Sequence, residues 1–257
     1  MGQTSTTGSW LFTFRPDSRA NLRLFCFPHA GGGPQAYSKW AQWLPSSVNL
    51  GLVQFPGRGS RFTEPLITQL PQLVESLARG LRPYLDKPFA FFGHSLGALM
   101  SFELARQIRR EFGLQPAHLF VSGRESPQRA PLLPPIHALP EPEFIAELRR
   151  FNGTPKEVLE NPELLELLIP ILRADFGLNE TYSYVPEPPL TCPITAYGGL
   201  QDMSTNRHCL EAWREETLGA FNLMMFPGDH FYLHSPRGPF IGAFSRELQL
   251  AVNSLAM

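Results

Sequence analysis

Ser95 lies between two glycines, at the point where an apolar run meets a helical pattern. The stretch reads FAFFGHSLGALMSFELARQI over residues 89–108. Gly-x-Ser-x-Gly between a strand and a helix is the pattern of a nucleophile elbow, a turn so tight that its flanking residues carry almost no side chain. An ordinary structural turn is the alternative, but the apolar run before the serine and the helical pattern after it favour the elbow. We therefore predict that Ser95 is a nucleophile.

A serine nucleophile needs a histidine as its base and a carboxylate that orients the histidine. In chains with this elbow the order is serine, then acid, then histidine, each on a loop after a later strand. Asp202 follows the apolar run ITAYGG, and His230 follows NLMMFPGD. Both stand at predicted strand ends downstream of Ser95. The sequence therefore predicts a Ser95–His230–Asp202 triad.

Two neighbouring residues are alternatives for these roles. His234 comes four residues after His230, but His230 directly follows the strand and its Pro-Gly turn. Asp229 is adjacent to His230, so its side chain is expected to point elsewhere and to serve the turn. We therefore favour His230 and Asp202.

An oxyanion hole is the remaining requirement of this chemistry. One donor is the backbone N–H of the residue after the nucleophile, Leu96, and the second comes from an early strand-to-helix loop. LFCFPHAGGGPQAY supplies such a loop, in which we assign the N–H of Ala30 and regard His29 as a candidate substrate contact. The glycine run lacks the Lys-Ser/Thr of a P-loop and the spacing of a dinucleotide fingerprint, so nucleotide binding is disfavoured.

Six short apolar runs are the strands that must position these residues. Helical patterns lie between them near 35–44, 69–84, 96–112, 206–218 and 239–254. Strand-helix alternation of this kind predicts an α/β fold with a mostly parallel sheet and helices on both faces. The predicted strands are residues 22–27, 49–55, 89–93, 118–123, 194–199 and 222–228.

Residues 125–190 interrupt the alternation with helices that have no strand between them. Thr154 reads as an N-cap, with Pro155 in the first helical position and Glu157 completing a capping box. Asn161-Pro162 reads as a further helix start. We predict a helical lid over the carboxyl edge of the sheet, where open α/β sheets bind ligands. A helical hairpin on the flank is the alternative.

The run LLELLIPIL gives that lid its most apolar face. We expect this run to line an apolar chamber, and Pro170 within it offers a natural kink.

Length and composition favour one α/β domain over residues 1–257, because 43% of the residues are hydrophobic. The net charge of −1 gives no electrostatic footprint for nucleic acid or an anionic membrane. The scattered Cys26, Cys192 and Cys209 read as free thiols of a reducing compartment. Residues 1–10 read as a flexible leader without a secretory signal, although they fit a myristoylation pattern. We expect a cytoplasmic, monomeric protein.

Five motifs together resemble the type II thioesterases, the free-standing editing enzymes of polyketide and nonribosomal peptide synthesis. In order they are FCFPHAGGGPQAYSKW, LVQFPGRGSRF, FFGHSLGALMSFELAR, ITAYGGLQD and FPGDHFYLH, and the resemblance covers about residues 22–250. It implies an α/β-hydrolase with a mobile helical lid and the triad named above. It also implies hydrolysis of acyl thioesters on the phosphopantetheine arm of an acyl or peptidyl carrier protein. The arm belongs to the substrate, so no cofactor or metal of the enzyme is implied.

The sequence departs from the family at one motif. Members usually carry an acid in Pro-Gly-Arg-Glu-x-Arg, where this chain has Gly59 and Ser60 between Arg58 and Arg61. The two arginines follow a strand end, so they could orient a phosphate or contact an acidic carrier protein, and Arg124 and Arg129 are further candidates for contact with the carrier. Structural pairing of Arg58 and Arg61 with acidic side chains is the alternative.

Two other functions remain open at this point. A carboxylesterase or lipase acting on soluble esters would use the same triad. An inactive hydrolase fold serving as a binding module would not need a triad, although all three residue types are present.

Overall fold

The computed structural model describes residues 9–12, 17, 19–151, 153–234 and 238–255. Within them, six strands form one sheet in the order β2-β1-β3-β4-β5-β6, and every neighbouring pair is parallel. All six predicted strands are confirmed, although β2 ends earlier than expected. The strands are β1 (Leu22–Phe27), β2 (Val48–Leu52), β3 (Phe89–His94), β4 (His118–Ser122), β5 (Ile194–Gly199) and β6 (Phe221–Phe226).

Helices cover both faces of the sheet, as the alternation predicts. They are α1 (Leu70–Leu81), α2 (Leu96–Phe112), α3 (Glu141–Phe151), α4 (Lys156–Leu159), α5 (Pro162–Glu180), α6 (Arg207–Glu211) and α7 (Phe240–Ser254).

Alternate side chains of the strands enter two separate cores, because successive residues of a strand point to opposite faces. In β3, Phe91 packs into the core that α1 and α2 cover, while Phe92 packs into the core on the α7 side. Both rings are fully buried. A strand that is apolar on both faces is what a covered parallel sheet requires.

The helix predicted near 35–44 is wrong. Two short 3₁₀ turns, Pro34–Tyr37 and Trp40–Gln42, take its place. Pro34, Tyr37 and Trp40 are the buried residues of these turns, and their spacing of three matches a 3₁₀ helix. The Tyr37 hydroxyl also donates to the carbonyl of Phe27 at 3.0 Å, which holds the turn against the end of β1.

The insertion at 125–190 contains α3, α4 and α5 and has its own apolar core, which includes Phe144, Leu148 and Leu172. Asn161 caps α5 as predicted, because its side chain accepts the N–H of Leu164. Thr154 is not a cap: α4 begins at Lys156 with Pro155 as its N-cap. The Asn152-Gly153 pair is also a helix-end signal in the sequence; α3 ends at Phe151, directly before it, and Asn152 lies outside the described residues.

The apolar run of α5 does not line the cavity at the catalytic edge. Leu165, Leu168, Ile169 and Leu172 pack in or against the insertion's own core, while Leu164 and Leu167 are exposed. The helix continues through Pro170.

The predicted flexible leader, residues 1–10, lies mostly outside the described part of the chain, and its last residues are packed. Residues 1–8 lie outside the described part of the chain, but Trp10 packs tightly on Gly80 and lies 4.1 Å under the guanidinium of Arg61. Leu11 then forms an antiparallel bridge with Val53. In the part of the chain that the structure describes, no helix combines the length and apolar character needed to cross a membrane.

Candidate active site

Ser95 occupies the turn between β3 and α2 with φ 55° and ψ −118°. It is the single non-glycine residue with positive φ in the described ranges. Backbone strain of this kind persists where the surroundings fix it, and it clusters at functional sites. The Ser95 N–H donates to the carbonyl of Ser122 at 2.8 Å, which ties the turn to the end of β4.

The two glycines of the elbow are required by close backbone contacts. A Cβ on Gly93 would lie 2.0 Å from the carbonyl oxygen of Gly97, and a Cβ on Gly97 would lie 2.2 Å from that of Phe27. Neither position has room for any side chain. The turn can therefore close tightly enough to place Ser95 at the edge of the sheet.

Asp202 and His230 are brought together from the loops after β5 and β6. Asp202 Oδ2 lies 2.8 Å from His230 Nδ1, and the Asp202 side chain is fully buried. Burial opposes ionisation of Asp202, but the hydrogen bond and charge interaction with His230, together with bonds from Ser204, lower its pKa. The carboxylate is therefore ionised and fixes the Nδ1 side of the imidazole.

Ser204 is a further member of this arrangement that the sequence reasoning missed. Its hydroxyl and its N–H donate to Asp202 Oδ1 at 2.6 and 2.8 Å. The hydroxyl also lies 3.0 Å from His230 Nδ1. The signal was available in Asp-Met-Ser, because an aspartate commonly accepts the backbone N–H two residues ahead in a turn.

His234 and Asp229, the alternative residues, are placed elsewhere. The His234 ring stacks on Phe231 with centroids 6.0 Å apart, whereas His230 is the histidine bonded to Asp202. The Asp229 side chain accepts the N–H of Phe231 at 2.9 Å, the turn contact that its position suggested.

Ser95 and His230 line one cavity of about 500 Å³ together with Ala30 and Leu96, the two residues assigned to the oxyanion hole. Leu96 is the first residue of α2, and the first N–H groups of a helix have no acceptor within the helix. The insertion supplies most of the apolar wall, through Phe151, Phe176 and the segment 131–135. The arrangement can therefore present a nucleophile, a base and backbone donors to a substrate with an apolar chain.

The model of the thioesterase domain family matches residues 22–246. The chain belongs to the thioesterase family.

Individual relatives are similar in sequence to this chain over most of its length. The gramicidin S biosynthesis protein GrsT of Aneurinibacillus migulanus is 44% identical over 248 residues, which cover 96% of this thioesterase and 97% of GrsT. The thioesterase PikA5 of Streptomyces venezuelae is 39% identical, covering 89% and 81%. The structure of BorB, a type II thioesterase from the borrelidin biosynthetic cluster, superposes with a TM-score of 0.84 at 36% identity, covering 95% of this chain and all of BorB.

Two further histidines surround His230 in this thioesterase. His94 lies with its ring centroid 4.7 Å from that of His230, and its Nδ1 bonds to Ser122, whose hydroxyl bonds to Tyr232. Burial, followed by the nearby His234, His230 and Arg58 charges, lowers the pKa of His29 to about 3. Burial and the neighbouring histidines also lower the pKa of His94 well below its usual value. Both stay neutral, so they add no positive charge beside His230.

Such neutral histidines make the stability depend on pH. We expect the free energy of unfolding to fall between pH 7.5 and 5.5. Histidines of the unfolded chain bind protons below about pH 6.5. In the folded protein, His29, His94 and His118 bind protons only at much lower pH, because burial lowers the pKa of each. The contribution of these neutral histidines to the free energy of unfolding is therefore present above pH 6.5 and is lost as the pH falls below it. The loss between pH 7.5 and 5.5 is up to about 1.4 kcal/mol per histidine. Urea titrations at the two pH values measure the difference.

His118 offers a control away from the cavity. Its ring stacks on Phe120 at 4.0 Å, and burial lowers its pKa to about 4. His118→Phe should reduce the difference between the two pH values by about one histidine's share. Equal unfolding free energies at pH 7.5 and 5.5 in the unmodified protein would contradict this assignment.

Arg58 and Arg61 do not form a docking surface for a carrier protein, which corrects the expectation from the sequence. They are only 7% and 5% exposed. Arg58 forms a bidentate pair with Asp175, and Arg61 forms one with Glu64 while also donating to the carbonyl of Gln54. The alternative, structural pairing with acids, is confirmed. The turn Gly59–Arg61 thus holds both arginines inward in this thioesterase.

Arg124 and Arg129 do not extend such a surface either. Arg124 is buried, lines the cavity and donates to the side chain of Asn179 on α5. Arg129 is exposed, but it faces Glu215 at 3.5 Å. Three of the four proposed docking arginines are therefore inside the protein.

The three cysteines of this thioesterase are free, as predicted, and all three are buried. Among the residues described, no group of three or more His, Cys, Asp or Glu side chains is placed to hold a metal ion.

Proposed function

We propose that this thioesterase hydrolyses acyl thioesters carried on the phosphopantetheine arm of an acyl or peptidyl carrier protein, in editing or product release. The observation that carries the proposal is the elbow serine, Ser95, lining the same cavity as His230, whose imidazole is bonded to Asp202. The relative named for gramicidin S biosynthesis and the solved type II thioesterase BorB support the substrate class.

The reaction would proceed through an acyl-enzyme. His230 Nδ1 bonds to the buried carboxylate of Asp202, which leaves Nε2 to accept the proton of Ser95. Ser95 Oγ bonds to the thioester carbon, and the N–H groups of Leu96 and Ala30 stabilise the oxyanion. The carbon–sulfur bond then breaks, and the leaving thiol takes the proton from His230.

Water completes the cycle by the same route. It attacks the acyl-Ser95 ester while His230 accepts its proton, and the second tetrahedral intermediate collapses to release the free acid and regenerate Ser95. Every proton that His230 takes is returned within the cycle. The residues proposed for catalysis therefore need no further cofactor.

The cavity supports an acyl group as the substrate and explains tolerance among acyl groups. Phe151 and Phe176 form apolar walls, while Arg124 and Glu125 add charge next to them. Each methylene in an apolar pocket changes discrimination by only about 1–3 kcal/mol. An enzyme with such a cavity would accept chains of several lengths. We also propose that the insertion bearing these walls acts as the lid of the cavity.

Three substrates that carry the same acyl group test the proposal. We expect kcat/KM on the acyl-carrier protein to exceed that on the matched oxygen ester by at least about tenfold, equivalent to 1.4 kcal/mol in the transition state. The acyl-pantetheine fragment is the third substrate and separates recognition of the arm from recognition of the carrier. Ser95→Ala, assayed in parallel, subtracts background hydrolysis.

The outcomes separate the alternatives. A higher kcat/KM on the oxygen ester than on both thioesters would assign the protein to the carboxylesterases. Failure of all three substrates, together with failure of a fluorophosphonate to label Ser95, would identify an inactive hydrolase fold.

A further inference from the structure

The insertion contributes a buried carboxylate to the loop that carries Ala30. Asp175, on α5, is only 1% exposed. Its Oδ2 accepts the backbone N–H of Gly31 at 2.7 Å. The same oxygen and its partner Oδ1 accept from Arg58 Nη1 and Nη2 at 2.6 and 2.7 Å. One carboxylate therefore joins α5, the 57–61 turn and the Gly-rich loop after β1.

A second contact of α5 holds the same loop. Gly31 has φ +70°, and a Cβ placed there would lie 2.4 Å from Leu172 Cδ2. Leu172 and Asp175 are three residues apart, so they lie on one face of the helix. Arg58 Nη1 also lies 3.3 Å from the carbonyl of Gly32. The backbone at Gly31 and Gly32 is thus held by both an apolar contact and charged hydrogen bonds.

The bond to Gly31 fixes the backbone next to an oxyanion donor. Gly31 directly follows Ala30, which lines the cavity with Ser95. Rotation of the peptide between Ala30 and Gly31 would break the bond to Asp175, and a hydrogen bond to an ionised acceptor is stronger than a neutral one. Donors in an oxyanion hole act only when they are held at the position where the charge develops.

We propose that Asp175 is a positioning residue of the hydrolytic reaction. It acts through Gly31 on the oxyanion loop, and Arg58 holds its carboxylate in place. The oxyanion hole is then complete only when α5 lies against this loop. This inference rests on the proposed function, since it assigns a role in stabilising the oxyanion formed at Ser95.

The opposing explanation is that Arg58 and Asp175 form a purely structural ion pair. The chain contains a second ion pair close by, between Arg61 and Glu64, that serves as a control. Arg61 lies in the same turn and is as buried as Arg58, while its partner Glu64 follows three residues later and is partly exposed. Neither residue lines the cavity. Removal of this second pair disturbs the turn without touching Gly31.

The test compares apolar replacements of the two pairs. Arg58→Met/Asp175→Leu removes both charges, which avoids a buried unpaired charge. Arg61→Met/Glu64→Leu is the control. For the first variant we expect kcat on acyl-pantetheine to fall about 10- to 100-fold, because a donor is held less accurately, while KM changes less than about threefold. The control should retain kcat within about threefold.

The Ki of a transition-state analogue distinguishes the two explanations, because loss of a purely structural ion pair would leave it unchanged. A trifluoromethyl ketone analogue forms a hemiketal oxyanion on Ser95, whereas a thioether analogue forms none. We expect the Ki of the ketone to rise by the same factor by which kcat falls, with the Kd of the thioether nearly unchanged. Thermal unfolding of each variant verifies that it is folded.

The outcomes are decisive in each case. The proposal is overturned if Arg58→Met/Asp175→Leu folds and keeps the kcat and the ketone Ki of the unmodified enzyme. It is also overturned if the control variant loses as much kcat as this variant does. If the first variant does not fold, Asp175→Asn decides: a ketone Ki raised about tenfold supports the proposal, and an unchanged Ki overturns it. An unmodified enzyme that is inactive on acyl-pantetheine and on the carrier-bound thioester would instead refute the proposed function.

Discussion

Ser95→Ala is expected to lower kcat on an acyl thioester by about two to four orders of magnitude, because Ser95 is the hydroxyl at the elbow beside the oxyanion donors, whereas the Ser204 hydroxyl that also lines the cavity is bonded to Asp202. Residual turnover would come from the oxyanion donors and from binding alone. Steady-state hydrolysis measures the loss, and a fluorophosphonate should label the unmodified protein on Ser95 only.

Ser101→Ala is the matched control for this substitution. Ser101 lies on α2, the helix that begins directly after Ser95; it is fully buried, and its hydroxyl donates to the carbonyl of Ala98 at 2.9 Å. It does not line the cavity. Its replacement should leave turnover within about threefold of the unmodified enzyme. Substantial activity in Ser95→Ala, or labelling at another residue, would remove the elbow from the mechanism.

Asp202→Asn is expected to reduce kcat/KM by about 10²- to 10⁴-fold, far more than Asp229→Asn. The Asp202 carboxylate accepts from His230 and from Ser204. An amide in its place presents one oxygen and one donor, so it favours the wrong imidazole tautomer and no longer stabilises the imidazolium. Asn at position 229 can still accept the N–H of Phe231, the bond that the native side chain accepts.

The comparison between the two aspartates is internally controlled, because both substitutions remove one negative charge near His230. kcat/KM and the unfolding temperature of both variants are measured in the same buffer. If Asp229→Asn lost more activity than Asp202→Asn, the acid would have to be reassigned to the β6 loop.

The elbow and the positions of the loops that carry Asp202 and His230 could be predicted because their signals are local. Gly93, Ser95 and Gly97 fall within five residues, and Asp202 and His230 each lie within four residues of the end of a strand. Parallel strands bring their carboxyl ends to one edge, so a correct order of strands is enough to bring distant loops together. The six observed strands supply that order.

The role of Arg58 could not be predicted, because its partner is distant in the chain. Asp175 lies 117 residues later, on a helix of the insertion. Nothing in the spacing around either residue indicates the pair, and a charged side chain is usually exposed. The prediction that the apolar run of α5 lines the chamber was wrong for a related reason. Its buried residues pack in the insertion's own core, which is formed by residues far apart in the chain.

The false helix at 35–44 has a different origin. Burial of every third residue at Pro34, Tyr37 and Trp40 matches a 3₁₀ turn, but over so short a segment it resembles the period of an α-helix. The aromatic packing of Tyr37 and Trp40 against Phe92 of β3 then decides the conformation.

The pair between Arg58 and Asp175 limits how insertions can be exchanged when chimaeric thioesterases are built to alter substrate range. A donor segment without an acid at position 175 would leave the Arg58 guanidinium buried and unpaired, at a loss of about 3–5 kcal/mol in folding stability. Recombination points on either side of the insertion therefore separate two residues that must be inherited together. A library of such chimaeras needs either the acid in every donor segment or an apolar residue at position 58 of the recipient.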